Sequence, residues 1–555
     1  MADDLAAQAD TTREEVLRAA EEALARLAPA LPADAAALLR ALHAAVPTAE
    51  LAAESPEALA AAAASLFSFA AERTPGTAKV RVLPPGPGTG PRAVVEIVND
   101  DMPFLVDSAL AALALHGRSV ASLLHPILRV RRDASGRLLG LDPAAPSRES
   151  MMRIALGPAG PVLSGMPTRP VEGLDALEAA LARAMADVRA TTTAFPAMLA
   201  LLRGAEAEVT AAGGPEGEEA AAFLRWLTED NFVLLGHRRF AMDGGAGLTM
   251  MGSENLGLLA DPAIPVFDAL RDLSAVPPAV RIALADPAPL TVAKANMRST
   301  VHRPQHADVV ATRIYDAAGR VVGGRIFLGL FAASAYNRNP RSIPFLRRKV
   351  DRILEMAGVE AESHDGRALR NIVDTWPRDE LFQAPEAAVL AGARRALDLT
   401  IRPRAALVVR HDPFERFVSA IAWLPRDTFD TRLRERAGHM VARAYGGRLS
   451  AVYIALGDAP LARVHYIIAT RPGAVPAVDD AALEATLAQA ARGFGERLAE
   501  ALTAAHGEGE AATALARWRD AFPAAYREMS TAAQGVADLA LAERAIAAGR
   551  PRADV

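Results

Sequence analysis

A chain of 555 residues is too long for one ordinary core and predicts about three or four domains. With 51% hydrophobic and 23% charged residues it belongs to the globular rather than the disordered class, and a net charge of -5 argues against a nucleic-acid binder that relies on bulk charge. The absence of cysteine excludes disulfides, thiol nucleophiles and cysteine-based zinc sites and fits a cytoplasmic protein. No signal-peptide pattern opens the chain and no apolar run is long enough for a span, so no membrane association is expected.

In chain order, residues 12–73 are rich in Ala and Leu and read as helices broken at Pro29, Pro32, Pro47 and Pro56, within an N-terminal helical region, 1–82. The stretch 83–91, LPPGPGTGP, is a loop. It leads into VVEIVNDDMPFLVDSALAALALHGRSVASLLHPILRVRR, residues 94–132. This reads as strand, acidic turn, helix and strand. Val94, Val95, Ile97 and Val98 form a β-rich run, and Asn99, Asp100 and Asp101 end it. Pro103 suits the first turn of a helix. Leu105, Ala109, Leu113 and His116 then recur at helical spacing, and Gly117 closes the helix. An apolar run follows at 120–130. Such a β-turn-α unit places free backbone N–H groups beside an exposed loop, a usual place to hold a small anion or amino acid. The plain alternative is that Asn99 to Asp101 only cap a helix.

The turn DASG at 133–136 joins strands, and 151–156 is another strand. A helix is expected over 174–191, interrupted at Pro196, with a solvated boundary at 204–219. These elements compose a first α+β domain, 92–200. A second, 218–340, opens with a helix at 220–227 and a strand at 232–240. A glycine-rich turn follows at 244–247, and further strands are expected at 290–301, 308–314 and 321–331. A helical connector, 341–403, follows. The third domain, 404–506, reads β-β-α-β-β-α, and 511–555 is a helical segment. The architecture is α+β: small antiparallel sheets, each with helices on one face, joined and flanked by helical segments.

The densest polar cluster is LTVAKANMRSTVHRPQHADVV, 290–310. On an alternating strand Lys294, Asn296, Arg298 and Thr300 share one face, with Ser299 and His302 beside them, and could hold a carboxylate or phosphate. The alternative is a solvated strand face. His302 and His306 have a zinc-like spacing, but Pro304 between them breaks the helix this would need, so no metal is expected. Asp100, Asp101 and Asp107 could act as acid and base, yet nothing near them supplies a nucleophile. Lysine-dependent chemistry has three candidates, Lys79, Lys294 and Lys349. The glycines of VVGGRIFLGLF, 321–331, lie in a strand pattern and lack the dinucleotide fingerprint. In WPRDELFQ, 376–383, Arg378, Asp379 and Glu380 read as a helix cap and an ion pair. Arg410, Arg416, Arg426, Arg432, Arg434 and Arg436, near a strand–helix junction, read as a surface or interface face, with Asp412, Asp427 and Asp430 as partners.

Taken together, VEIVNDDMPFLVDS, HPILRVRRDASGRL, SENLGLLADP, the 290–304 segment, GGRIFLGLFAASAY, IPFLRRKV, DTWPRDELFQ and the 407–426 run resemble the N-terminal half of the large bacterial NAD-specific glutamate dehydrogenases. The resemblance covers most of residues 90–540. It implies a series of ACT-like, ferredoxin-like regulatory domains that bind amino acids or mediate assembly. By that resemblance the parent enzyme uses NAD, while no cofactor, catalytic residue or metal is expected on this chain, which reads as a fragment or a truncated gene product. The implied partners are its own catalytic domain, other subunits of a homo-oligomer and an amino-acid effector. Asn99, Asp100, Asp101 and Phe104 form the first candidate effector or interface site, and the 294–302 strand the second. A stand-alone amino-acid-sensing or interaction protein is the alternative, and an enzyme active in its own right a third reading.

Overall fold

Among the described residues, apolar strand runs close into three antiparallel sheets, and helices cover them. The computed structural model describes residues 2–86, 88–159, 173–242, 248–264, 266, 286–457, 459–518 and 520–549. The glycine-rich turn expected at 244–247 lies outside these residues. Among the described residues no helix is long and apolar enough to cross a membrane. The chain divides into two units: Met1–Asp351 with Leu381–Gln383, and Arg352–Glu380 with Ala384–Val555.

The first unit holds two sheets. Strands β1 (Lys79–Leu83), β2 (Val94–Asp100), β3 (Arg118–Leu124), β4 (Ile127–Arg132), β5 (Leu138–Leu141) and β6 (Ser147–Ala159) pair in the order β1-β2-β6-β4-β5, with β3 also on β6. The apolar run of β2 is continuous because both its faces are covered. Val95 and Ile97 join a core with helices Leu105–Leu115 and Leu174–Thr210. Val98, on the other face, joins Leu38, Leu39, Leu66 and Phe67 of the N-terminal helices. Between these apolar positions Glu96 is fully buried, and it is held by Arg81 at 2.5 Å and by Arg153. The apolar stretch at 120–130 is two strands rather than one, parted at His125 and Pro126.

Strands β7 (Phe232–Met242), β8 (Leu248–Met250), β9 (Leu256–Gly257), β10 (Leu290–Arg298), β11 (His306–Tyr315) and β12 (Val321–Phe331) form the second sheet, ordered β10-β11-β12-β7-β8 with β9 on β7. Helix Leu174–Thr210 packs its buried face into the same core as both sheets. It does not stop at Pro196, and the expected boundary at 204–219 is mostly helical, with helix Gly214–Trp226 following after Gly213. An interior proline costs a helix about 3 kcal/mol. Here Met198, Leu202, Ala205 and Val209 are all buried beyond it, and their burial outweighs that cost.

In the second unit, β13 (Ala406–His411), β14 (Phe417–Pro425), β15 (Arg448–Ala455) and β16 (Leu461–Ala469) pair in the order β13-β14-β16-β15. Helices Thr431–Ala444 and Asp480–Ala491 cover one face, so the expected β-β-α-β-β-α order is observed. Alternation sorts the faces. Val418, Ala420 and Ala422 join the helices, and Ser419, Ile421 and Trp423 point the other way. Helices Phe494–His506, Glu508–Trp518 and Ala532–Ala547 form a small core of their own around Phe494 and Leu498.

Candidate functional site

The acidic turn after β2 and the loop after β10 come together in the first unit. Pro103 is not the first helical residue. Helix Leu105–Leu115 is preceded by Phe104 in the left-handed conformation, φ 70°, which a non-glycine residue holds only when its surroundings fix it. Those surroundings are the second candidate segment. The Phe104 ring lies 5.1 Å from the His302 ring. His302 Nδ1 is 2.8 Å from Asp107 Oδ2, and its backbone N–H donates to Ser108 Oγ at 3.0 Å. His302 is itself left-handed, φ 65°. Beside it, Thr300 donates to Asp187 Oδ2 of helix Leu174–Thr210 at 2.6 Å. Burial pushes the Asp187 carboxyl up, and the Thr300 hydroxyl partly offsets this.

The carboxylates of the turn are engaged by arginines. Asp100 meets Arg73 at 2.5 Å and Arg189 at 2.6 Å. Burial alone would raise its pKa, but the two guanidiniums outweigh burial and hold it below the usual carboxylate range. Asp101 meets Arg148 at 2.9 Å. Asn99 is fully buried and accepts from Arg189. The turn therefore ties β2 to the loop after helix Pro56–Ala70 through Arg73 and to helix Leu174–Thr210 through Arg189.

The 290–304 segment does not present one polar face. β10 ends at Arg298, its register shifts between Lys294 and Arg298, and Thr300 lies beyond it in an exposed turn. A shift of that kind breaks the alternation on which a shared face depends. Lys294 Nζ is 2.6 Å from Asp308 Oδ1, across the pair from β11. The backbone N–H of Asn296 donates to the Val266 carbonyl at 3.1 Å. Arg298 donates to the Pro304 carbonyl at 3.1 Å, and Ser299 Oγ donates to the Val301 carbonyl at 2.7 Å. Of this segment, His302 reaches the turn at Phe104, while Thr300 reaches Asp187 of helix Leu174–Thr210. Lys294, Asn296, Arg298 and Ser299 brace β10 and its loop. His306 lies near the Ala295 carbonyl, 3.3 Å from Nδ1, and no metal-holding group of His, Asp and Glu occurs among the described residues.

The glycines of β12 offer no cradle for a dinucleotide. β12 is paired on both sides, with β11 and with β7, and a Cβ on Gly323 would lie 2.5 Å from the Phe240 carbonyl oxygen. Close strand packing accounts for them.

A second polar centre was not legible as one. In the second unit Glu380 is buried and bound bidentately by Arg410, at 2.6 Å for both N–H···O contacts. His465, also buried, lies 2.8 Å from Ser419 Oγ and 3.9 Å from Glu380. Burial pushes the His465 pKa down. Arg410 reads in sequence as part of a surface or interface face with Asp412 among the partners, but it takes Glu380, and Arg416 takes Asp412 at 2.7 Å. The one sequence signal was strand parity, which puts Arg410 on a single face of β13, opposite Ser419.

Four family models match the chain in order. The glutamate dehydrogenase ACT1 domain matches residues 38–158, helical motif 1 matches 343–402, the ACT2 domain matches 406–494 and helical motif 2 matches 501–545. The ACT1 match spans the first sheet and the ACT2 match the third. The chain is similar to the NAD-specific glutamate dehydrogenase of Halomonas elongata, 31% identical over 514 residues, which are 90% of this chain and 31% of that protein. It is also similar to those of Pseudomonas aeruginosa, 30% identical over 80% of this chain and 28% of the relative, and Mycobacterium tuberculosis, 29% identical over 82% and 27%. The chain spans under a third of the length of these relatives.

Proposed function

The chain belongs to the NAD-specific glutamate dehydrogenase family, and from that premise we propose that it is a regulatory and assembly segment. The parent reaction is the oxidative deamination of L-glutamate by NAD+ and water to 2-oxoglutarate, ammonia and NADH. In this reading the chain does not perform that step itself. NAD and the reacting groups belong to another part of the parent, and this segment contacts that part, other subunits and an amino-acid effector.

The observation that carries the reading is the state of the charged groups at the candidate site. Asp100 is held by Arg73 and Arg189, Asp101 by Arg148, Asp107 by His302 and Lys294 by Asp308. General acid–base work needs a group poised to exchange protons near the working pH. Asp100 is instead locked in its charged form between two cations. Such a site ties elements together, and an effector that favours one arrangement of them shifts the balance between assembly states.

The test uses the purified chain. With L-glutamate and NAD+ it is expected to form no NADH, and in sedimentation it is expected to run as a homo-oligomer. NADH formation would overturn the non-catalytic reading. A strictly monomeric chain that also gives no heat with amino acids or 2-oxo acids would overturn the regulatory one.

A further inference from the structure

Helices Phe494–His506, Glu508–Trp518 and Ala532–Ala547 leave one side of their small bundle open. The second and third both pack on the first, and a groove of about 390 Å³ runs between them. Its apolar lining is Leu502, Ala514, Val536 and Leu539. A helix shorter than about 12–15 residues is marginal in water and draws its stability from a buried face. Helix Glu508–Trp518 has 11 residues and fully buries Ala511 alone among them. Helix Ala532–Ala547 fully buries Gly535 and Leu539 alone. The groove is therefore where both helices can gain the burial that their own bundle does not supply.

Helix Glu508–Trp518 turns Glu510, Thr513, Ala514 and Arg517 to the groove, and helical spacing puts all four on one face. Glu510, Thr513 and Arg517 are exposed. Glu510 and Arg517 make no ion pair among the described residues, and the Arg517 guanidinium lies 5.1 Å from the centre of the neighbouring Trp518 ring. The helix dipole favours an acid near the N-terminus and a base near the C-terminus, but it does not require that both face the groove. Their spacing, about two turns, makes the face self-complementary. A two-fold axis between Thr513 and Ala514 turns Glu510 onto Arg517. A second copy of the helix, laid antiparallel, then sets each Glu510 against the partner's Arg517. The small side chains of Thr513 and Ala514 meet at the centre and admit close approach. Antiparallel helices also oppose their dipoles favourably. A partner of another kind would need neither the symmetry nor the spacing.

We propose that this groove is an interface between two copies of the chain, in which helix Glu508–Trp518 of each copy lies in the groove of the other. The assignment deepens the assembly reading by naming the surface and the partner, and it rests on that reading for its purpose. One helix pair buries less than a standard interface of roughly 1,200–2,000 Å², so the association is reversible. Its exposed ion pairs make it weaken as salt rises.

Sedimentation equilibrium of the 555-residue chain at low salt tests it. Glu510→Arg or Arg517→Glu alone brings like charges together twice about the axis and is expected to weaken self-association by about tenfold or more. The double variant exchanges the two partners and should restore association to within about threefold of the parent. Both changes oppose the helix's own dipole, so recovery in the double variant can come only from pairing across copies. Thr513→Arg, at the exposed centre of the face, should abolish this association with the melting temperature unchanged. Single variants that associate as the parent does, a double variant no better than the single ones, or a Thr513→Arg variant without effect each overturns the assignment. A chain that assembles and ignores all of these changes sinks the groove and leaves the assembly role standing. A chain monomeric at every concentration overturns the groove and the assembly role together.

Discussion

At the scale of single residues, the Glu380–Arg410 pair decides the most. Glu380 is buried and Arg410 largely so, and each satisfies the other bidentately. Burial would raise the Glu380 pKa, but Arg410, with the Ser419 hydroxyl, holds it below its ordinary value. A carboxylate depressed in the fold adds stability that is present above its unfolded pKa and is lost as pH falls through the folded one. Arg410→Ala would leave a buried carboxylate without its cation and is expected to cost about 3–5 kcal/mol in urea unfolding. The double change Glu380→Leu with Arg410→Met removes both charges and should recover most of that loss. If the single and double variants unfold alike, the pair is not what holds this face. Sequence could not name the partners. Asp412 lies just past the end of β13, beyond the parity that places Arg410, and Arg416 is the residue that reaches it. Glu380 comes from a helix 30 residues upstream, and long-range pairing leaves no trace in local spacing.

At the scale of elements, strands were easier to read than helix limits. β7, β12, β14 and β16 follow from apolar β-branched runs bounded by turn residues, and buried central strands tolerate little else. The misreadings share one cause: tertiary packing overrode a local signal. Pro103 looked like a helix start, but the ring of Phe104 settles against His302, and the helix begins two residues later. Pro196 looked like a helix stop, but the core continues past it. Pro196→Ala restores an N–H donor and a strong helix former, and it is expected to stabilise the first unit by about 1–3 kcal/mol in chemical unfolding. No gain, or a loss, would mean that the proline sets a bend the core requires. Close approach marks a second element-scale constraint. A Cβ on Gly438 would sit 2.9 Å from the Tyr466 ring, so helix Thr431–Ala444 lies on its sheet only because that position is bare. Gly438→Val should cost about 1–3 kcal/mol by overpacking, and an unchanged unfolding midpoint would contradict that packing.

At the scale of the whole molecule, both units bury histidines that the fold keeps neutral. Burial, with Arg13 and Arg153 nearby, pushes His43 down to about 4. Burial, opposed by the Glu254 carbonyl and aided by Arg325, pushes His237 down to about 4. His465 is lowered by burial as well. Each is a base whose folded pKa lies below its unfolded value of about 6.5. Above that value both states are neutral and the full stability is present. As pH falls from about 6.5 toward 4 the unfolded chain takes up protons that the folded chain refuses, so stability falls across that window. Depressed carboxylates such as Asp100 and Glu380 continue the loss below it. The urea midpoint of the chain is therefore expected to be highest near neutrality and to decline steadily from about pH 6.5. His43 allows the cause to be isolated. Its Nε2 has no hydrogen-bond partner among the described residues, and its ring is buried beside apolar N-terminal helices. His43→Leu gives up no ring hydrogen bond at that nitrogen and removes one titrating base, so it should leave the midpoint at pH 7.5 near that of the parent and flatten the decline between pH 6.5 and 4.5. His237→Leu should flatten the same window but lower the midpoint at every pH, because His237 Nδ1 lies 2.7 Å from the Glu254 carbonyl and its loss leaves that oxygen without the ring partner. A parent chain equally stable at pH 7.5 and 5, or a His43→Leu variant with the parent's slope, would show that these rings do not set the acid limit.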